Sequence, residues 1–147
     1  MASTRWRRRI WRAGSILKMV TYVLAAIAGI WMADGLALLV APRHVMARVR
    51  EAVALAPSLL RWEGAAACLG VVLLLGTEGI HYQPLWMVTG AAMVLKGLFL
   101  AMGPEPWRHW LVDWCLQRED VDYRFWGLGL CTLAVLLLHA LGWIGNR

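Results

Sequence analysis

Long runs of apolar residues constrain this chain more than any other feature of its sequence. The run Met19–Ala41 holds one charged residue, Asp34, in 23 positions. As a helix it would measure about 34 Å, which is enough to cross the ~30 Å hydrocarbon core of a bilayer. Two further runs, Pro84–Gly103 and Phe125–Ile144, are also long enough to cross. The sequence therefore predicts an all-α membrane protein.

A fourth transmembrane helix is predicted between the first and the third run. The apolar segment Gly64–Thr77 is too short to cross alone, so the crossing must also include Trp62 and Ile80. Glu63 and Glu78 would then lie near the lipid headgroups. The prediction is four transmembrane helices.

Composition narrows the functional classes. Hydrophobic residues make up 61% of the chain and charged residues 16%, whereas soluble domains are nearer one half apolar and one quarter charged. That balance excludes a disordered tail, and three cysteines in 147 residues are too few for a disulfide scaffold. The sequence has no phosphate-binding loop, no Ser/His/Asp nucleophile set and no CxxC pair. We therefore predict a protein that is not an enzyme and has no cofactor or metal.

A basic segment of eighteen residues precedes the first run and contains no acidic residue. We interpret it as retained rather than as a signal peptide, because the apolar run after it is too long. Beside a membrane such a segment attracts anionic headgroups, and a nucleic acid partner is not expected. The positions assigned to docking on lipid or on a larger complex are Arg5, Arg7, Arg8, Arg9 and Arg12.

Two connecting segments of about twenty residues each begin with proline and then have helical periodicity. In the first, Val45, Val49 and Val53 recur every four residues, and in the second the apolar positions follow i, i+3, i+4, i+7. Both predict amphipathic helices in the interface plane, where tryptophan is favoured. A tryptophan row on the second helix is a candidate partner contact, with lipid anchoring as the alternative. It consists of Trp107, Trp110 and Trp114.

The chain also resembles itself. The segment around Gly35 matches at an offset of 62 residues, and the segment that begins at Leu60 matches at an offset of 63, with seven identities in sixteen positions. Each copy contains a span, a short helix and a span. We therefore predict two hairpin repeats of the same orientation, residues 19–80 and 81–147, after the basic segment of residues 1–18.

The repeat aligns Asp34 with Lys96, each eight residues before a proline. A charge inside a span is costly and by default faces the bundle or a partner. One prediction is an ion pair between the two residues that holds the halves together. The alternative is that Lys96 extends to the interface while Asp34 meets Arg61. A proton or ion path is a third option.

The residues that the two copies share carry a family resemblance. Glycine–leucine before a proline, followed by an arginine three residues before a glycine, resembles the YjeT-like family of small bacterial inner-membrane proteins. The pattern is Gly35, Leu36, Pro42, Arg61 and Gly64 in the first copy, and Gly97, Leu98, Pro104, Trp107, Arg124 and Gly127 in the second. The resemblance implies one two-span hairpin per copy. It implies no reaction, and Lys96 departs from the acidic residue that members tend to have at that position.

Three further groups have weaker metal-binding or cofactor-binding patterns. Glu78 and His81 have Glu-x-x-His spacing, but this spacing occurs once and in a turn. Cys68 and Cys131 are equivalent in the repeat, and packing as small apolar residues is their expected role. His139 has no second histidine at a comparable depth, so we do not expect it to bind haem.

These features together predict a multi-pass membrane protein, and the resemblance implies the bacterial inner membrane. Its N-terminus is expected in the cytoplasm, because basic residues are densest before the first span. The expected role is a non-catalytic accessory, assembly or stabilising subunit of a larger membrane complex, in contact with membrane lipids and other membrane protein subunits. The alternatives are a small transporter or channel that uses Asp34 and Lys96, and a redox or pigment-binding membrane subunit.

Overall fold

All the regular secondary structure in the part of the chain that the structure, a computed structural model, describes is helical. That part comprises residues 3–55 and 64–145, with side chains described from residue 18 onward. Neither range contains a β-strand. The helices within these ranges are α1 (Ser3–Val40), α2 (Pro42–Leu55), α3 (Gly64–Gly76), α4 (Gln83–Met102), α5 (Glu105–Leu116) and α6 (Asp120–Ala140).

Three of the helices are long and apolar enough to cross a membrane. They are Lys18–Val40 within α1, the whole of α4 and the whole of α6. The predicted all-α class is therefore confirmed, with three helices that could span a membrane by their length and composition. Helix α3 is apolar but has only 13 residues. The residues that would lengthen its predicted crossing at the start, Trp62 and Glu63, lie outside the described residues.

Helix α1 is longer than the first predicted run. Its backbone is helical from Ser3. The basic segment and the apolar run after it therefore form one continuous helix. At 38 residues the helix measures about 57 Å. It ends at Val40 because Pro42 follows, and proline is accepted in the first turn of a new helix rather than inside one.

The bounds predicted for the last span, Phe125–Ile144, are corrected by the structure: α6 runs from Asp120 to Ala140. Its end has the bonds of a Schellman motif. Gly142 adopts a positive φ of 74°, and the N–H groups of Gly142 and Trp143 each donate a 3.0 Å hydrogen bond to a carbonyl in the last turn. Only a glycine takes this conformation without strain, so the helix stops before Ile144.

Two helix pairs account for most of the packing: α1 lies against α6, and α3 lies against α4. A smaller contact joins α1 to α3. The core is built from the inner faces of all four helices, with the indole of Trp86 and the side chains of Leu73 and Leu137 fully buried. The rest of the core cluster comprises Leu24, Ile27, Ala28, Trp31 and Ala134.

The bundle has two distinct ends. At the end that we call the turn end, the segment between α3 and α4 reverses the chain, and Gly76 packs against Val20 of α1. The indole of Trp86 donates a 2.8 Å hydrogen bond to the His81 carbonyl there, while Tyr82 has a φ of 63°. The short helices α2 and α5 lie together at the opposite end, which we call the short-helix end.

Candidate functional site

The outer side of α5 presents tryptophans. None of the described residues of α5 is buried, and the exposed fractions of Trp107, Trp110 and Trp114 are 63%, 60% and 43%. Their i, i+3, i+7 spacing places the rings on one side of the helix. Trp107 and Trp110 line a cleft of about 410 Å³ together with Pro106. We call these three tryptophans the tryptophan row.

One member of the row also has a contact within the protein. The guanidinium carbon of Arg118 lies 3.8 Å from the centroid of a Trp114 ring, a cation–π arrangement. The same guanidinium is 3.9 Å from the Asp122 carboxylate. Arg118 and Asp122 therefore hold Trp114 in place, whereas Trp107 and Trp110 present their rings outward.

The inner side of α5 closes an apolar cleft of about 230 Å³ between α2, α4, α5 and α6. Lys96 of α4 is the one charged residue among the described residues that line it. Two further polar groups face it, the Cys115 thiol and the Tyr123 side chain. The remaining lining residues are Met46, Val49, Val53, Leu100, Leu111, Val112, Leu116 and Trp126. We call this space the apolar cleft.

A second, more polar cleft of about 470 Å³ adjoins the first. The two share Val53, Val112 and Leu116 as lining residues, so the clefts adjoin along these side chains. The polar members of the second lining are Arg50, His109, Asp113 and Gln117. We call this space the polar cleft.

Two arginines connect α2 to the other helices at this end. The Arg43 side chain donates a 2.5 Å hydrogen bond from Nε to the Asp120 carboxylate at the start of α6. Arg50 donates a short hydrogen bond from Nη2 to the Leu116 carbonyl at the end of α5. The second bond also satisfies a carbonyl that the end of a helix leaves unpaired. Helix α2 is thereby fixed over the clefts.

Among the described groups of this site, the Cys115 thiol has a shifted pKa. Burial raises its pKa above the ordinary value of 9.0, while the positive charges of Lys96 and Arg118 lower it in part. The Tyr123 hydroxyl donates a 2.8 Å hydrogen bond to the Cys115 carbonyl and so connects α6 to α5. Sequence reasoning missed Cys115 and Tyr123. The signal for Cys115 was available in the inner face of α5, where Leu111, Val112, Cys115 and Leu116 recur at helical spacing opposite the tryptophans.

Two of the three residues predicted to form intramembrane contacts, Asp34 and Lys96, lie on different helices, α1 and α4. Asp34 is exposed on α1, next to the buried Gly35 in sequence. Lys96 lines the apolar cleft, and Asp34 is not among the described residues of that lining. Arg61 lies outside the described residues. The Asp34–Lys96 and Asp34–Arg61 contacts stay predictions.

The basic positions of the N-terminal segment lie on the backbone of α1, and their side chains are outside the described part. The docking role of Arg5, Arg7, Arg8, Arg9 and Arg12 therefore stays a prediction.

Among the groups with weaker metal patterns, the two cysteines lie on different helices, whereas His81 and His139 both lie beside Tyr82 at the turn end. Cys131 packs against Gly35 of α1, and Cys68 is exposed on α3. The His139 ring lies 6.4 Å from the Tyr82 ring at the turn end. Within residues 3–55 and 64–145, no three His, Cys, Asp or Glu side chains come together as metal ligands.

In comparisons with known proteins, no family model, no curated protein sequence and no solved structure matches this chain. Its function is therefore argued from the geometry of the short-helix end.

Proposed function

We propose that this chain is a non-catalytic accessory, assembly or stabilising subunit of a larger membrane complex in the bacterial inner membrane. It crosses the membrane four times, its N-terminus is cytoplasmic, and the tryptophan row on α5 docks on another membrane protein of that complex. The exposure of Trp107 and Trp110 beside their cleft is the observation that carries the proposal.

The contact between α2 and α5 supports four crossings. Helix α2 follows the end of α1 and α5 follows the end of α4, and Arg50 of α2 bonds to the Leu116 carbonyl of α5. Two segments in contact outside the bilayer core lie on the same side of the membrane. An even number of crossings must therefore separate them, which means that α3 crosses as well as α4.

The pattern of burial supports the two-copy repeat. The buried residues of α4 are Trp86, Gly90, Gly97 and Leu100. Each aligns, 62 residues earlier, with a buried residue of α1, namely Leu24, Ala28, Gly35 and Leu38. Under this repeat the α1–α6 pair is the equivalent of the α4–α3 pair. The first span of each copy then packs against the second span of the other, as a pseudo-twofold axis along the membrane normal requires.

Matching contacts in the two pairs support the same repeat. Gly127 of α6 packs against Leu39 of α1, and Gly64 of α3 packs against Ala101 of α4. These contacts are equivalent at the offsets of 62 and 63 residues. The duplication is what the proposed relationship to the YjeT-like hairpin proteins requires.

The physical character of the tryptophan row supports docking on a protein. Tryptophan supplies a large apolar area at a small cost in side-chain entropy, and it is enriched where interfaces have their strongest contacts. A membrane interface also favours tryptophan, so lipid anchoring alone is the competing role. The two roles differ in whether a partner is lost when the row is removed.

The proposal is tested by mild-detergent purification of the tagged, natively expressed protein, with mass spectrometry and an absorption spectrum of the same sample. We expect stoichiometric recovery of other membrane proteins with the wild type. The variant Trp107→Ala/Trp110→Ala should reduce that recovery at least tenfold, because truncating one interface hot spot costs about 2 kcal/mol or more. Trp143→Ala is the matched control, since Trp143 is 56% exposed at the turn end.

Two outcomes contradict the proposal. One is a partner-free wild-type protein. The other is a double variant that keeps all partners of the wild type, which would leave the tryptophan row with lipid anchoring alone. An absorbing cofactor in the sample would favour the redox or pigment-binding subunit.

Transport is not proposed. A pathway that uses both Asp34 and Lys96 needs one polar cavity that reaches both residues. The three clefts described above include Lys96 in one lining and Asp34 in none.

A further inference from the structure

The apolar cleft and the polar cleft lie near one membrane surface in the proposed membrane bundle. Lys96 is six residues before the end of α4 at Met102, or about 9 Å along the helix. Tyr123 is in the first turn of α6, and α2 and α5 cover the space from outside. This depth is where the headgroups and first carbons of lipids lie in a bilayer about 40–45 Å thick.

The apolar cleft suits part of an amphiphile better than a whole small molecule. Its volume of about 230 Å³ is below the ~300–1,000 Å³ that is usual for small-molecule pockets. Apart from three polar groups, the described lining residues have aliphatic, methionine and tryptophan side chains. A hydrocarbon segment fills such a space without leaving a polar group unsatisfied.

The charged side chains next to a hydrocarbon segment bound in the apolar cleft would be mainly positive. Lys96 lines the apolar cleft and Arg50 lines the polar cleft, and among the described lining residues Asp113 carries the one carboxylate. A lysine ammonium has three donors and a guanidinium has five, so one contact within the protein leaves further donors for a ligand. His109 and Gln117 add further hydrogen-bonding groups to the polar cleft.

We propose that the two clefts form one binding site for an anionic phospholipid. The first part of one acyl chain occupies the apolar cleft. The phosphate lies between Lys96 and Arg50, and the remainder of the headgroup occupies the polar cleft.

The size of the polar cleft selects a phospholipid over a free fatty acid. A carboxylate would occupy little of the ~470 Å³ beside Arg50 and His109, whereas a glycerophosphate headgroup uses that space. The bilayer also supplies this ligand in excess along the flank of the bundle. The site rests on the proposed membrane embedding and is independent of the proposed protein partner.

The experiment uses Cys115 as a reporter, because its thiol lines the apolar cleft. The full chain with Cys68→Ala and Cys131→Ala is placed in nanodiscs of phosphatidylcholine alone, or with added phosphatidylglycerol or oleate. The alkylation rate of Cys115 by an apolar maleimide is measured in each. We expect phosphatidylglycerol to slow alkylation about fivefold or more, the protection 1 + [L]/Kd for a site that is mostly occupied. Oleate should protect far less.

The variant Lys96→Met should abolish the protection by phosphatidylglycerol. The rates are compared as the ratio between lipids within one variant, because removing the charge also changes the thiol itself. Lys18→Met, at the only other lysine of the sequence, is the control and should keep the full ratio. Native mass spectrometry of both variants should count one retained phosphatidylglycerol with Lys18→Met and none with Lys96→Met.

Each other outcome overturns a stated part of the proposal. Equal alkylation with and without phosphatidylglycerol, with phosphatidylcholine retained by the wild type, overturns the charge selection. Equal protection by oleate overturns the phospholipid. Equal alkylation in all discs, with no lipid retained by the wild type, overturns the site and would leave the clefts to a protein partner. Because the discs contain no partner, this result is separate from the outcome of the purification.

Discussion

Single glycines determine how closely the paired helices approach. A Cβ atom built on Gly35 would lie 2.7 Å from the Gly127 carbonyl oxygen, and one built on Gly70 would lie 2.7 Å from the Gly90 carbonyl oxygen. Both partners are backbone atoms and cannot move aside as a side chain does. In lipid, where apolar side chains gain little by avoiding the solvent, such close packing is a main source of helix association.

The substitution Gly35→Ala should therefore destabilise the bundle. We expect a loss of about 1–3 kcal/mol, the usual cost of forcing extra atoms into a packed interior. The measurement is reversible unfolding in mixed detergent micelles followed by circular dichroism. Gly29→Ala is the control, since Gly29 is exposed in the same helix and a Cβ there would have no neighbour within 4 Å. It should be neutral or stabilise by up to ~1 kcal/mol, and equal losses at both sites would refute the packing argument.

The acidity of Cys115 gives a second prediction for single residues. Burial raises the pKa of this thiol, and Lys96 opposes the increase, so Lys96→Met should raise the pKa further. Thiolate is the reactive form, and we expect alkylation in detergent at pH 8.5 to slow about two- to fivefold. The unfolded protein in denaturant should show no difference between wild type and variant. A rate that is unchanged in the folded protein would contradict the assigned cause.

The same shift has a consequence for stability. The folded state favours the protonated thiol, because its pKa lies above the unfolded value of 9.0. The contribution to stability is therefore present below pH 9.0 and is lost as the pH rises through the folded pKa.

Residue types alone could identify part of the site. Trp107 and Trp110 were predicted as an exposed row because of their spacing, and the structure has both rings exposed. Lys96 was identified because a charge within a span is rare. Its neighbours Cys115 and Tyr123 lie 19 and 27 residues further along the sequence, and no periodicity connects residues on different helices. Their proximity required the structure.

At the scale of helices, the sequence predicted which helices exist more accurately than it predicted where each helix begins and ends. The starts of α2 and α5 follow from Pro42 and Pro104, because proline cannot continue a helix but fits a first turn. The predicted end of the last span was wrong. Hydropathy stays high through Trp143 and Ile144, but the backbone turns at Gly142 and the helix ends before it. Conformation and hydropathy are separate properties of a segment, and spans were located by hydropathy.

Helix α2 should depend on Arg50 for its position. The Arg43–Asp120 pair contributes little, because its arginine side chain is 87% exposed and exposed pairs stabilise by ~0–1 kcal/mol. Arg50→Met removes a charged hydrogen bond to the Leu116 carbonyl. We expect hydrogen exchange of α2 amides to accelerate about tenfold, which corresponds to ~1.4 kcal/mol.

The matched control for this change is Arg48→Met, because Arg48 is an exposed arginine on the same helix. Exchange in α2 should not change with this variant. Equal acceleration by both variants would show that helix propensity or net charge, rather than the bond to α5, determines the protection of α2.

For the whole molecule, the sequence alone did not predict which helices pack against each other. Two hairpins predict that the two spans within each copy pack together, α1 with α3 and α4 with α6. The main contacts instead join the copies, α1 with α6 and α3 with α4. Apolar surfaces in lipid do not discriminate between partners, so steric fit at small residues such as Gly35 and Gly127 determines the pairing. The repeat alignment explains which contacts are equivalent only once it is known which helices pack together.

The four-span arrangement is the central claim, because it places α2, α5 and the lipid site on one side of the membrane. The most direct measurement is the labelling of single cysteines from each side of sealed inner-membrane vesicles, with Arg48→Cys in α2, Glu78→Cys at the turn end and Glu105→Cys in α5. All native cysteines are replaced. We expect the labels at positions 48 and 105 to react from the same side and the label at position 78 from the opposite side. If α3 does not cross, positions 48 and 78 will share a side and position 105 will label from the other, which would contradict the account.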